Sequence, residues 1–141
     1  MFEFEKVCRE YELLTYDERR DMLRQLADII VPAVAQITGG TDAFFILASA
    51  ACAADGKLGV DEYSLFKDST GLEIFYDEAA ETIRQIKGKD LNEEADTLVD
   101  LFGGLDENIK DAMVCYCACL CSADDRIGLR ERSFIRKLIK E

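Results

Sequence analysis

The 141-residue sequence has no histidine, no tryptophan and a single proline, Pro32. Without histidine no Ser–His–Asp or Cys–His arrangement can form, and the commonest general base near neutral pH is missing. Neither a Walker phosphate loop nor a dinucleotide-binding glycine fingerprint occurs; Gly39-Gly40 and Gly103-Gly104 read as helix breaks. Carboxylate-dependent hydrolysis is the catalytic alternative that survives, and it needs a deep cleft that a short helical chain rarely builds. The chain is therefore expected not to be an enzyme.

Positive charge is scarce, with 17 Lys+Arg against 29 Asp+Glu and a net charge of −12. Nonspecific phosphate contacts need local positive charge, so nucleic acid and anionic membranes are poor partners, whereas a basic protein or a divalent cation is a natural one. Long apolar runs are absent too. The longest in the front half, 43–54, is too short to cross a bilayer, and Glu3, Glu5 and Glu10 make the first residues unlike a secretory signal. There is no CxxC pair among the six cysteines, and a chain that is 49% hydrophobic needs no disulfide staples. Reduced thiols in a cytoplasmic protein without membrane insertion are expected.

What the sequence does have is helical periodicity over a length suited to one domain, 1–141. Apolar residues in 2–14 predict a short helix. Met22, Leu23, Leu26, Ile29, Ile30, Ala33, Val34 and Ile37 predict a longer one over 17–37, which Pro32 either kinks or divides. Thr41 is expected to cap a central helix over 42–54, apolar nearly all round. Further helices are expected over 60–69, 77–86, 91–102, 106–123 and 129–140. Charge is uneven: 71–111 carries twelve acidic and four basic side chains, while 126–140 carries six basic ones against Glu131 alone. These two stretches could meet within one chain or between two copies, making a homodimer an open alternative to a monomer.

The most informative feature is a repeat at an offset of 69 residues, relating 41–70 to 110–139. Ala54-Asp55-Gly56-Lys57-Leu58-Gly59-Val60-Asp61-Glu62 aligns with Ala123-Asp124-Asp125-Arg126-Ile127-Gly128-Leu129-Arg130-Glu131. In each copy a crowded apolar helix runs into a turn and then an amphipathic helix. Gly59 and Gly128 fall at the helix cap, and Glu62 and Glu131 fall three residues on, where a carboxylate can reach back to the cap amide. Leu58 and Ile127 would plug each turn into the core. An EF-hand reading fails in both copies. Positions one and three would be Ala51 and Ala53, or Leu120 and Ser122, too poor in oxygen for calcium.

The ordered pair of A-D-(G/D)-x-(L/I)-G-x-x-E turns resembles the tellurite-resistance TerB-like family, a module also similar to a region of certain DnaJ-type co-chaperones. The matching motifs cover about half the chain; Asp125 stands where that family usually has glycine. The resemblance implies an all-α compact bundle of about seven helices with two pseudo-symmetric helix–turn–helix halves. It also implies a non-catalytic role with a protein partner in a stress-response or membrane-linked assembly. The motif carboxylates become a metal site formed by Asp55, Glu62, Asp124 and Glu131, and oxygen donors favour Ca²⁺, Mg²⁺ or Mn²⁺. The rival reading leaves the two turns apart, each glutamate capping its own helix in a purely structural scaffold.

The run Met113-Val114-Cys115-Tyr116-Cys117-Ala118-Cys119-Leu120-Cys121 alternates like a strand, or like a soft-metal site. The repeat aligns it with 44–52 and so predicts a helix. On a helix Cys115 and Cys119 share one face, Cys117 and Cys121 another, and small partner residues make these core thiols.

Overall fold

Thr15 starts the longest helix with a reciprocal cap. Its hydroxyl accepts from the Glu18 amide while the Glu18 carboxylate accepts from the Thr15 amide, a capping box. The computed structural model describes residues 3–53, 60–72, 77–78, 81, 97, 100–124 and 127–139. Within them the elements are α1 (Phe4–Glu12), α2 (Tyr16–Val34), α3 (Gly40–Ala53), α4 (Val60–Thr70), α5 (Glu107–Cys121), a 3-10 turn (Ser122–Asp124) and α6 (Leu129–Ile139). Helical residues also occur at 77–78, 81, 97 and 100–102. The fold is an all-α compact helical bundle, with no strand among the described residues. The expected helices over 77–86 and 91–102, and the turn at 54–59, lie largely outside the described residues.

In α2, Leu23, Ala27, Ile30 and Val34 are buried at three- and four-residue steps, while Ile29 is half exposed. Pro32 sits in the last turn of α2 and does not divide it. Lacking an amide proton, it cannot donate to the carbonyl of Asp28 four residues back.

Thr41 is not the cap of the next helix. α3 already begins at Gly40, with the Ala43 amide bonded to the Gly39 carbonyl. Gly39 takes a positive φ of 73°, which reverses the chain. The helix entry is moved forward because Gly40 packs against the end of α2, where a Cβ would overlap the Val34 carbonyl.

α3 is central, as its composition predicts: Ala43, Phe44, Leu47, Ala48, Ala50, Ala51 and Cys52 are buried. It packs on α5 and α6, while α2 packs on α4 and α5 and α1 packs on α5. An aromatic group fills the middle. The rings of Phe44 and Phe66 stand edge-on to Tyr116 or tilted to each other at 5.1–6.0 Å, the offset geometry such rings prefer. The Tyr116 hydroxyl shares a 2.6 Å hydrogen bond with Ser69, so the one polar atom of a fully buried ring is satisfied.

The cysteine-rich run is helical, being most of α5, and Asp106 caps that helix by accepting from the Asn108 amide at 2.8 Å. The α1 helix is tied to α6 by ions. Arg132 reaches Glu5 at 2.6 Å and Glu12 at 3.1 Å, Arg136 pairs with Glu5, and Arg136 also lies over the Phe4 ring. Among the described residues these partners of the basic C-terminal helix come from the N-terminus rather than from 71–111. The apolar stripe of α1 (Phe4, Cys8, Tyr11) is buried, and the helix packs on α5.

Candidate functional site

Each repeat contributes one buried glutamate and one buried thiol, and these four groups converge. Cys52 closes α3 and Cys121 closes α5 at equivalent places in the repeat; Glu62 and Glu131 occupy the first turns of α4 and α6. All four side chains are at most 4% exposed. The Cys121 thiol donates to the Cys52 sulfur, and the Cys52 thiol donates to the Glu62 carboxylate. Glu131 completes the group: its Oε1 accepts from the Gly128 amide at 2.8 Å, and its charge acts on both sulfurs.

Electrostatics follow from that arrangement. The hydrogen bond from Cys121 favours the Cys52 thiolate. Burial and the nearby Glu62 and Glu131 carboxylates outweigh it and push the Cys52 pKa up to about 12. Cys121 is raised well above the ordinary thiol value, first because its proton is held by Cys52, then by burial and the same two carboxylates. Both thiols are therefore protonated near neutral pH and poor as nucleophiles or soft-metal ligands. Cys117, on the same face of α5 as Cys121, is also raised by burial and by the closeness of Cys52. The opposite face carries Cys115, which accepts from the Tyr11 hydroxyl, and Cys119, which donates to the Arg19 carbonyl at 3.9 Å.

Of the four carboxylates expected to share a site, Glu62 and Glu131 are brought to one buried cluster. Asp55 lies outside the described residues; Asp124 is in the 3-10 turn, and its side chain is likewise outside them. Among the described residues no group of three or more His, Cys, Asp or Glu side chains is arranged to hold a metal ion. Glu131 does what its spacing predicts, reaching back to the cap, and Ile127 is buried as a plug. Leu58 lies outside the described residues.

Two features were missed by reading motifs alone. Cys52 and Cys121 are an equivalent pair in the repeat alignment, and that equivalence was the signal that they meet. Arg19 gave no local signal at all. It is 2% exposed, and its guanidinium donates to the Ser122 hydroxyl at 2.8 Å and to the carbonyls of Tyr11 and Leu14 at 3.2 and 3.1 Å. It thus gathers the end of α1, the turn after it and the end of α5, where helix carbonyls present negative partial charge.

A shallow apolar depression between α3, α4 and α5 is floored by Phe45, Ala48, Phe66 and Leu120, with Lys67 at its rim. No described helix is long and apolar enough to cross a membrane. No family model, curated protein or solved structure matches the chain.

Proposed function

We propose that this protein is a non-catalytic, TerB-like helical module that acts by binding a partner protein in a cytoplasmic stress-response or membrane-linked assembly. The observation that carries the reading is the inward use of the repeated motif. Glu62 and Glu131, the most chemically suggestive residues in it, are spent on each other's neighbourhood: one accepts from Cys52, the other from Gly128. Groups buried in such contacts organise a scaffold, and function then falls to the outer surface. High net charge with a local reversal of sign supports recognition of another macromolecule.

The test is affinity capture with the purified full chain at low and high salt, followed by reconstitution with each recovered protein. A stoichiometric complex that weakens as salt rises is expected. Turnover of phosphate ester or peptide substrates by the purified protein, lost on substitution of Glu62 or Glu131, would overturn the non-catalytic reading.

A second reading places Ca²⁺, Mg²⁺ or Mn²⁺ on Asp55, Glu62, Asp124 and Glu131. It is favoured by the burial of Glu62 and Glu131 beside the same two sulfurs, which brings one carboxylate of each repeat into one neighbourhood. Calorimetric calcium titration of the wild type and of Asp55→Asn/Asp124→Asn decides it. Heat lost in the double variant supports a metal; near-zero isotherms for both remove it.

A further inference from the structure

Cys52 and Cys121 are hydrogen-bonded sulfur to sulfur, and each is 1% exposed. The approach that a disulfide requires is therefore largely made in the reduced protein. The other thiols are engaged elsewhere: Cys8 lies in α1, Cys115 accepts from the Tyr11 hydroxyl, and Cys119 donates to the Arg19 carbonyl. Cys117 lies one turn before Cys121 on the same face of α5 and is also close to Cys52, which makes it the rival partner for any bond that Cys52 forms.

Their places in the helices favour one pairing. Cys52 is the residue before the end of α3, and Cys121 is the last residue of α5. Helix ends fray and open locally at lower cost than global unfolding, so a small oxidant reaches these two sulfurs without dismantling the core. Cys117 sits inside α5, where helical turns continue on both sides of it.

We propose that Cys52 and Cys121 form a redox pair, which a hydroperoxide oxidises to a disulfide joining the two halves of the repeat. In the first step a lone pair of the Cys52 sulfur attacks a peroxide oxygen. The O–O bond breaks, and the departing oxygen leaves as water with the Cys52 thiol proton. The Cys121 sulfur then attacks the sulfur of the resulting Cys52 sulfenic acid. The S–O bond breaks, and the hydroxyl leaves as water with the Cys121 proton. Two thiols give up two electrons in all, and the peroxide takes them up.

Burial sets the rate and the selectivity. Enclosed, protonated thiols react slowly, so the pair answers sustained exposure rather than a brief pulse. Thiol–disulfide exchange needs access for a bulkier partner, and the same enclosure protects the bond once formed. The bond also removes the proton that Cys52 gives to Glu62, since a disulfide sulfur cannot donate. Oxidation is thereby felt at the first turn of α4, which carries Glu62. The proposal stands apart from the partner-binding reading and does not need it.

The test treats the native full chain with hydrogen peroxide, then quenches in acid, alkylates the remaining thiols and maps peptides without reductant. Loss of two of the six thiols and a peptide linked through Cys52 and Cys121 are expected, with all six recovered by dithiothreitol. Cys117→Ala should keep the link, whereas Cys52→Ala and Cys121→Ala should each abolish it. Removing a buried sulfur can loosen the fold, so the wild type unfolded in urea is the second measurement. There the same oxidant should favour links within 115–121, because closing short loops costs least, and the Cys52–Cys121 link should lose its preference. A Cys52–Cys117 link in the native wild type, oxidation confined to other cysteines, or sulfinic acid at Cys52 without a link would each overturn the proposal. So would native thiols left intact by an exposure that fully oxidises the unfolded chain.

Discussion

The thiol of Cys121 donates a hydrogen bond to the sulfur of Cys52, although the two residues are 69 positions apart in the chain. They are equivalent residues of the two repeats, and their contact is where the repeats face one another. Glu62 and Glu131, also equivalent, sit beside the same two sulfurs. The repeat is thus expressed in space as a buried polar centre, sealed between α3, α4, α5 and α6.

That centre makes the protein sensitive to alkali. Cys52 is raised from the ordinary thiol value of 9.0 to about 12, mainly by burial and carboxylate charge after the opposing hydrogen bond from Cys121, and Cys119 is raised to about 12 by burial. Between pH 9 and 12 the unfolded chain has released these protons and the folded chain has not. The folded state therefore binds more protons, and stability falls as pH rises. Each such thiol contributes a loss of up to about 1.4 kcal/mol per pH unit in that window. Urea midpoints should be flat from pH 7 to the high 8s and then drop, and Cys52→Ala should drop less steeply. A midpoint unchanged up to pH 10 would sink this account.

Glu131 separates capping from mere charge. Replacing it with alanine leaves the half-buried Gly128 amide without its carboxylate and should cost about 1–2 kcal/mol. Glutamine keeps an acceptor oxygen and should recover most of that loss. Equal losses for Glu131→Ala and Glu131→Gln would mean that the negative charge, rather than the hydrogen bond at the helix start, is what the fold uses there.

How much of this was legible depends on whether the cause is local. The helical course of α5 was readable despite its strand-like alternation, because its repeat partner α3 is patterned for a helix. The core face of α2 was readable from its spacing, and so was the inward reach of Glu131. The forward start of α3 was not, because it depends on Gly40 lying against Val34, a contact between two helices. Arg19 looked like one more surface cation on an amphipathic helix. Its burial depends on two carbonyls near the end of α1 and the Ser122 hydroxyl after α5 meeting around it, and no local pattern encodes that meeting. The pairing of Arg132 with Glu5 and Glu12 was not legible either, because it depends on how α1 lies in the fold rather than on charge counts along the chain.

Arg19 should be among the most sensitive polar positions. Arg19→Met preserves bulk but deprives Ser122 Oγ and the Tyr11 and Leu14 carbonyls of a donor, for an expected loss of about 3 kcal/mol. Arg19→Lys should rescue only part of it, since one ammonium cannot reproduce the span of a guanidinium fork. Full stability in Arg19→Lys would show that a single one of these bonds carries the effect. The readout is chemical denaturation at neutral pH.

The adjacent glycines between α2 and α3 should respond to substitution for opposite reasons. Gly39 has open space around its missing Cβ but a φ of 73°, so alanine there meets a backbone penalty of about 1 kcal/mol, and asparagine, which tolerates this conformation, should cost less. Gly40 has an ordinary φ, yet a Cβ would overlap the Val34 carbonyl and crowd Ile37. The obstructing atoms are mostly backbone at the end of α2 and cannot rotate aside, so α3 must shift away from α2, costing about 3 kcal/mol. α3 also packs on both α5 and α6, and its displacement would disturb the Cys52–Cys121 contact. Gly40→Ala should therefore lower the denaturation midpoint more than Gly39→Ala and speed alkylation of Cys52 by iodoacetamide, followed by peptide mapping. Gly39→Asn should leave that rate unchanged. If Gly40→Ala proves as stable as wild type and its Cys52 stays as slow to react, the close approach of α3 to α2 is not what sets the position of the buried centre.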